Sequence, residues 1–431
     1  MDFPEVIAEL ESRRETRMLP DLSRILRIAT LLDDPQLTYP TIHVTGTNGK
    51  GTVARIATAV ACAHGLTTGL YTSPHLLEVT ERLSICGQDV SKGEFATEYE
   101  HLLPILRLVD EEADERVTYF ETLTALAYLL FADRPVQLGV FEVGMGGRWD
   151  ATNLVAGDVA VFAPIALDHP ELGATVHEVA GEKAGIIKPG KVAVSREQEP
   201  DALDVIEARC AEVGASLKLE FRDWELEDRL TAVGGQSLRV KGLFGTYDDL
   251  FLPMFGEHAA RNAATAIVAF EALVEEPLGE QTTREALAGV RWPGRMEVVS
   301  RSPMIMLDGA HNPAAAEALA AALREFFTWD RLHLVISVSG SKDLAGIAAE
   351  LAPLADVAYA TRNESERSGD AAPIAEAFGA QGKPVSVHDS VAGAIDAARA
   401  AADEGDLILV TGSLYTVADA RRALGVPLGD L

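Results

Sequence analysis

Apolar residues recur along this chain in two alternating rhythms. Short β-rich runs such as TIHVT at 41–45, LGVFEV at 138–143 and DVAVFAPIAL at 158–167 read as strands. Between them apolar positions return every three or four residues, as in GTVARIATAVACAHG at 51–65 and TVHEVAGEKAGII at 175–187. Strands of this kind separated by amphipathic helices predict a parallel sheet covered by helices. From about residue 214 to 256 the pattern changes to short runs and turns (LKLEFRDWELEDRLTAVGGQSLRVKGLFG), which predicts an antiparallel edge or subdomain. A helical period returns in EHAARNAATAIVAFEALV, and the chain then breaks at Pro293 and Gly294. A fresh β/α series follows: MIMLDGA, RLHLVISVS, DVAYA, PVSVHD and DLILVTGS, each with an alanine-rich helical stretch behind it. The pattern therefore predicts two α/β domains, 1–296 and 297–431, the second long enough for a doubly wound sheet of its own.

Composition narrows the function classes. The 431 residues are 48% hydrophobic and 24% charged, enough for a sizeable core. A net charge of −29 repels phosphate backbones and anionic lipid, so nucleic acid and membrane surfaces are poor partners, and an anionic substrate must meet a local cationic or metal-filled pocket. No apolar run approaches the roughly 18 residues of a membrane span, and the first residues lack a signal-peptide core, which makes the cytoplasm the expected location. The three cysteines, Cys62, Cys86 and Cys210, are spaced for neither a zinc knuckle nor a C-x-x-C pair and are expected to be reduced structural thiols.

The strongest local signal is IHVTGTNGKGTVARI. A strand runs into Gly46-Thr47-Asn48-Gly49-Lys50-Gly51-Thr52 and then into a helix. Glycines let backbone N–H groups converge on an anion, the helix dipole adds favourable potential, and Lys50 supplies a charge for a γ-phosphate. The usual P-loop has four residues between its first glycine and the Gly-Lys pair; here Thr47 and Asn48 alone intervene, and Gly51 precedes Thr52. A plain glycine turn ahead of a helix is the competing reading. Glu142, ending the strand LGVFEV, stands where open α/β sheets bind ligands and suits Mg²⁺ beside a triphosphate. Taken alone, His169 in ALDH reads as a surface or packing residue and Lys183 in EKAG as half of a helix ion pair.

TGTNGKGT is similar to the loop of the Mur ligase superfamily, and the likeness continues down the chain. YTSPHL with TERL, TYFETLTALA, FEVGMGGRWDATN, IALDHPELGATVHEVAGEKAGI, HAARNAA, WPGRME, LDGAHNP and VTGSLY follow in order. Together they resemble the signature segments of the dihydrofolate synthase/folylpolyglutamate synthase family.

That resemblance implies a P-loop, Mur-ligase-type central domain with a parallel sheet and a small antiparallel region, followed by a C-terminal Rossmann-like α/β domain. It also implies an ATP-dependent ligase that joins L-glutamate to dihydropteroate or a folate through an acyl phosphate, acting as a monomer. By the same resemblance Gly46 to Thr52, Asn262, Arg295 and Asp308 contact ATP, with His311 near the phosphates. Ser73 and Glu142 hold one Mg²⁺, and His169 with a carbamylated Lys183 holds a second; a lysine of depressed pKa can add CO₂ and become an anionic oxygen ligand. Thr118, Tyr119, Phe120, Glu121 and Asp150 correspond to dihydropteroate-contacting positions, and Ser413 to a glutamate-binding one. Arg295, at the domain junction, would reach phosphate when the C-terminal domain closes.

The chain departs from the family in places. Its Met18-Leu19-Pro20-Asp21-Leu22-Ser23-Arg24 stands where Asp-Leu-Gly-x-x-Arg is common, SVSGSKDL keeps Lys342 and Asp343 alone of a more charged turn, and TRNESERSGD lacks a proline. Three rivals stay open: a peptidoglycan Mur ligase, a ligase for another carboxylate, and an inactive nucleotide binder. The first expects a UDP-sugar domain of roughly 100 residues ahead of the loop, and 45 residues precede Gly46. Against the third stands the joint presence of Lys50, Glu142, His169 and Lys183, since a mere binder needs no second metal site.

Overall fold

The computed structural model describes residues 1–14, 20–340, 342–366 and 368–426, and Met18 and Leu19 of the atypical N-terminal segment lie outside them. The chain divides into two compact units, one of residues 1–228, 238–251 and 261–289, the other of 229–237, 252–260 and 290–431. No helix among the described residues is long and apolar enough to cross a membrane.

The first unit opens with helices α1 (Phe3–Glu11) and α2 (Ser23–Leu31), then β1 (Thr41–Thr45), α3 (Lys50–Ala63) and β2 (Thr68–Tyr71). The hairpin β3 (Leu83–Ile85) and β4 (Gln88–Asp89) precedes α4 (Lys92–Glu112), α5 (Tyr119–Asp133), β5 (Leu138–Glu142) and β6 (Val159–Phe162). Next come α6 (Val176–Lys183), β7 (Val192–Ser195), α7 (Pro200–Val213) and β8 (Ser216–Leu219). The strands form one eight-stranded sheet in the order β4-β3-β2-β5-β1-β6-β7-β8, parallel from β2 to β8 and antiparallel at the β3–β4 edge. Every residue of β1, β2, β5 and β6 is buried, as both covered faces of a parallel sheet require. One apolar cluster joins α1, α2, α4 and α5 over one part of the sheet, and a second joins α6 and α7 to β6 and β7. Reciprocal capping boxes set the starts of α1 (Asp2 with Glu5), α4 (Ser91 with Glu94), α5 (Thr118 with Glu121) and α6 (Thr175 with Glu178).

Two expectations are corrected. Residues 216–219, taken with an antiparallel region, are the parallel edge strand β8, because α7 supplies a full crossover from β7. And Cys62 and Cys86 are bonded in a disulfide, with Cα atoms 5.6 Å apart, while Cys210 alone is a free, buried thiol. Antiparallel pairing of Gly69 with Ile85 carries Cys86 back to the end of α3, a closeness invisible in a separation of 24 residues.

Strands β9 (Glu225–Ala232), β10 (Gly235–Lys241) and β11 (Thr246–Leu252) make a three-stranded sheet with β10 in the middle, followed by helices α8 (Glu257–Val274) and α9 (Glu280–Gly289). In the second unit follow β12 (Glu297–Arg301), β13 (Met304–Leu307), α10 (Pro313–Phe326), β14 (Leu332–Ile336) and α11 (Leu344–Leu351). The chain ends with β15 (Val357–Ala360), α12 (Ala371–Ala380), β16 (Val385–Val387), α13 (Val391–Ala401), β17 (Leu407–Thr411) and α14 (Leu414–Leu424). Their sheet runs β12-β13-β17-β14-β15-β16, parallel except for β12. Phe255 packs edge-on against Phe326 and Phe327, with ring centroids 5.4 and 4.8 Å away, which ties residues 252–260 to this unit.

Candidate active site

In the first unit the site gathers at the carboxyl ends of β1, β5 and β6, where a parallel sheet offers loops and helix starts. The loop after β1 turns through Gly49, whose φ of +88° is open to glycine at no cost. A Cβ there would sit 2.8 Å from the Asn262 amide, so α8 delivers Asn262 against the loop. Asn262 is held in turn by Arg196, whose Nη1 donates to its Oδ1 at 3.1 Å. Thr47 is pinned from β6: its N–H donates to Pro164 O at 2.7 Å and its hydroxyl to Ala166 O at 2.8 Å. No side chain caps α3, so its first N–H groups face the loop without a side-chain acceptor of that kind.

Two lysines meet on this loop. Lys50 Nζ donates to Gly46 O and Thr47 O at 3.1 and 3.2 Å, and Lys183 Nζ, at the end of α6, donates to the same Gly46 O at 2.7 Å. Lys183 is buried, and that burial, with the Lys50 charge beside it, pushes its pKa down to about 7. Asp168 and His169, after β6, and Gly144 and Met145, after β5, line the same depression as Lys50 and Lys183. His169 Nε2 lies 3.3 Å from Asp168 Oδ2.

Glu142 ends β5 with its side chain buried, and its Oε2 accepts the Ser73 N–H at 3.0 Å, so the two residues expected to share an ion are adjacent. A buried, anionic oxygen donor suits a hard divalent cation. His169 and Lys183 fit a second ion on one condition: an ammonium opposes a cation, so Lys183 must give up its proton, and a pKa of about 7 permits that.

At the start of α5, Thr118 and Glu121 are engaged with each other. Glu121 N donates to Thr118 Oγ1 at 3.2 Å, and Thr118 N donates to Glu121 Oε2 at 2.8 Å. Glu121 also forms a buried ion pair with Arg24, Nε to Oε2 3.0 Å. The atypical N-terminal segment thus still delivers its arginine to this spot. Phe120 stands against Gly144, where a Cβ would meet its ring at 2.5 Å, and Tyr119 has the Arg14 and Arg82 guanidinium groups 4.8 and 5.4 Å from its ring centre. Asp150, buried, accepts Met145 N–H on Oδ2 at 2.9 Å and Thr152 N–H on Oδ1 at 3.0 Å. Burial raises its pKa, opposed by these hydrogen bonds.

The second unit holds the remaining residues at the carboxyl ends of β13 and β17. Asp308 accepts N–H groups of Met296 (3.0 Å) and Ala310 (2.8 Å); burial raises its pKa and the charge of Arg295 lowers it. His311 Nδ1 lies 3.0 Å from Gly309 O. Ser413 is buried as the N-cap of α14, accepting Thr416 N–H at 3.0 Å and the Asn363 amide at 3.2 Å. Arg196 escaped the sequence reading as a site residue, since it reaches Asn262 across a long sequence gap with no motif of its own; Arg24 stands in the N-terminal family segment and Asp168 beside His169, with no role legible for either.

This geometry has counterparts. Residues 44–270 match the Mur ligase middle domain, and residues 294–414 match the Mur ligase glutamate ligase domain. The chain is 40% identical over 444 residues to a dihydrofolate synthase/folylpolyglutamate synthase of Mycobacterium tuberculosis, covering 95% of this chain and 91% of that protein. It is 37% identical over 389 residues to the one of Escherichia coli, covering 89% and 87%. Among solved structures it resembles M. tuberculosis folylpolyglutamate synthase complexed with ADP, with a TM-score of 0.95 at 40% identity over 99% of this chain and 98% of that one. E. coli FolC in complex with DHPP and ADP superposes with a TM-score of 0.88 at 32% identity, over 99% and 98%.

Proposed function

The chain belongs to the dihydrofolate synthase/folylpolyglutamate synthase family of Mur ligases, and from that premise we propose how its residues divide the reaction. The enzyme is an ATP-dependent ligase that attaches L-glutamate to a folate-type carboxylate. The N–H groups opening α3 and the Lys50 ammonium hold the terminal phosphates, with Asn262 backing the loop and Arg295, Asp308 and His311 contributing to nucleotide binding. An oxygen of the substrate carboxylate attacks the γ-phosphorus, the bond to ADP breaks, and an acyl phosphate results. The glutamate amine then attacks the acyl carbon, loses a proton and expels phosphate. No side-chain nucleophile is needed, so positioning and charge neutralisation carry the rate.

Ser73 and Glu142 would hold one Mg²⁺, and His169 with a carbamylated Lys183 a second. Mg²⁺, when bound, supplies the positive charge that screens two reacting anions from each other. Carbamylation joins the neutral Lys183 amine to CO₂ with release of a proton, replacing a cation by an oxygen donor. Phe120 offers a flat apolar face, and Tyr119 and Asp150 polar edges, to the ring of the acid substrate, which is dihydropteroate or a reduced folate. The protein acts as a cytoplasmic monomer in this reading.

The observation that carries the reading is the meeting of the anion loop and a buried, low-pKa lysine on one carbonyl, Gly46 O. Purified protein given ATP, L-glutamate and either dihydropteroate or tetrahydrofolate tests it. ADP release that requires both glutamate and one of the acids supports it; ATP turnover indifferent to the acid contradicts it.

A further inference from the structure

The centre of β1 carries a histidine that this chemistry does not use. His43 is fully buried, with Nε2 2.8 Å from the Thr152 hydroxyl; Thr152 is equally buried and places that hydroxyl 2.5 Å from Asp150 Oδ1. A hydroxyl has one proton and a carboxylate has none to give, so Thr152 donates to Asp150 and accepts from His43. His43 is therefore the Nε2–H tautomer. Its Nδ1 is buried with no hydrogen-bond partner, and burial with Lys188 nearby pushes its pKa down to about 3, so the ring is neutral. The donor order runs one way, from the core outward: His43 Nε2–H to Thr152 Oγ1, Thr152 Oγ1–H to Asp150 Oδ1.

Asp150 does not need this chain for its local fold, because Thr152 N–H already caps Oδ1. Burying an imidazole with one nitrogen unmatched is costly, and its sole polar output is the Thr152 hydroxyl. What the chain adds is a fixed orientation. Oδ1 takes the Thr152 hydroxyl and N–H, while Oδ2 takes Met145 N–H, next to the Gly144 that supports Phe120, so the carboxylate is fixed between the core and the turn under that ring.

We infer that His43 and Thr152 are positioning residues that act through Asp150 to hold Oδ2 as an acceptor for the N–H edge of a flat, amide-like heterocycle in the acid substrate. The inference rests on the proposed contact between Asp150 and that substrate.

Steady-state kinetics on the full-length enzyme, with dihydropteroate and ATP varied in turn, test it. Thr152→Val should raise the KM for dihydropteroate about tenfold, the scale of one lost charge-assisted hydrogen bond, with kcat and the KM for ATP changed less than about twofold. Thr152→Ser, which keeps the hydroxyl, should restore the KM. His43→Leu should shift the same constant in the same direction and serves if Thr152→Val does not fold. If the valine and leucine variants keep the wild-type KM while Asp150→Asn raises it, the positioning role is overturned and the substrate contact stands. If Asp150→Asn leaves that KM unchanged, the contact fails and the inference falls with it.

Discussion

At the residue scale, several buried charges of the site have a partner or a task. Lys183 is the sharpest case, because its pKa of about 7 leaves a neutral amine above that pH and an ammonium below it. Only the neutral amine adds CO₂. In ¹³C-bicarbonate the wild type should therefore show a carbamate resonance that grows as pH rises through about 7 and is absent in Lys183→Ala. Arg24 and Glu121 are a different kind of buried pair, with side chains 8% and 7% exposed. Arg24→Ala strands the Glu121 charge, so urea unfolding should report a loss of about 3 kcal/mol, typical of one partner removed from a buried pair. The loop residues Gly46 to Lys50 were legible in the sequence because strand, glycines, lysine and helix lie side by side. Asp168, Arg24 and Arg196 were not, since their roles depend on partners brought near by folding: Asp168 faces Lys183, Arg24 pairs with Glu121, and Arg196 holds Asn262.

At the element scale, the alternation of short β-rich runs with helical periods exposed the parallel strands, and β1, β5 and β6 are buried on both faces as interior strands of such a sheet are. It failed at Ser216–Leu219, where an edge strand with half-buried residues looks the same whether its neighbour runs parallel or antiparallel. The turn after β5 has a constraint readable only in three dimensions. Gly144 lies so close to Phe120 that a methyl group would overlap the ring. Gly144→Ala should displace Phe120 and raise the KM for the acid substrate about tenfold or more, the scale on which small misplacements act, while ATP binding, measured by equilibrium dialysis, changes little.

At the scale of the whole molecule, the restart of the β/α rhythm predicts a division at 1–296 and 297–431, whereas the two compact units place residues 229–237, 252–260 and 290–296 with the second. The first two segments carry no periodic signal of belonging; Phe255 joins 252–260 through ring packing against α10, and Arg229 pairs with Glu325 of α10 at 2.7 Å. The Cys62–Cys86 disulfide closes the end of α3 onto the β3–β4 edge and is open to direct chemical test. Protein purified without reductant and then denatured should yield one thiol to Ellman's reagent, Cys210, against three after reduction. Three without reductant would return the cysteines to free thiols.

The central claim is that the anion loop on β1 and α3 and the carboxylate ending β5 serve one phosphoryl transfer. Initial rates of ADP release with saturating ATP, glutamate and dihydropteroate measure it directly in wild type, Lys50→Ala and Glu142→Ala. Each variant, shown folded by circular dichroism, should lose at least about 10³-fold, the scale of removed transition-state charge stabilisation. A folded variant of either kind that releases ADP at the wild-type rate would contradict the account.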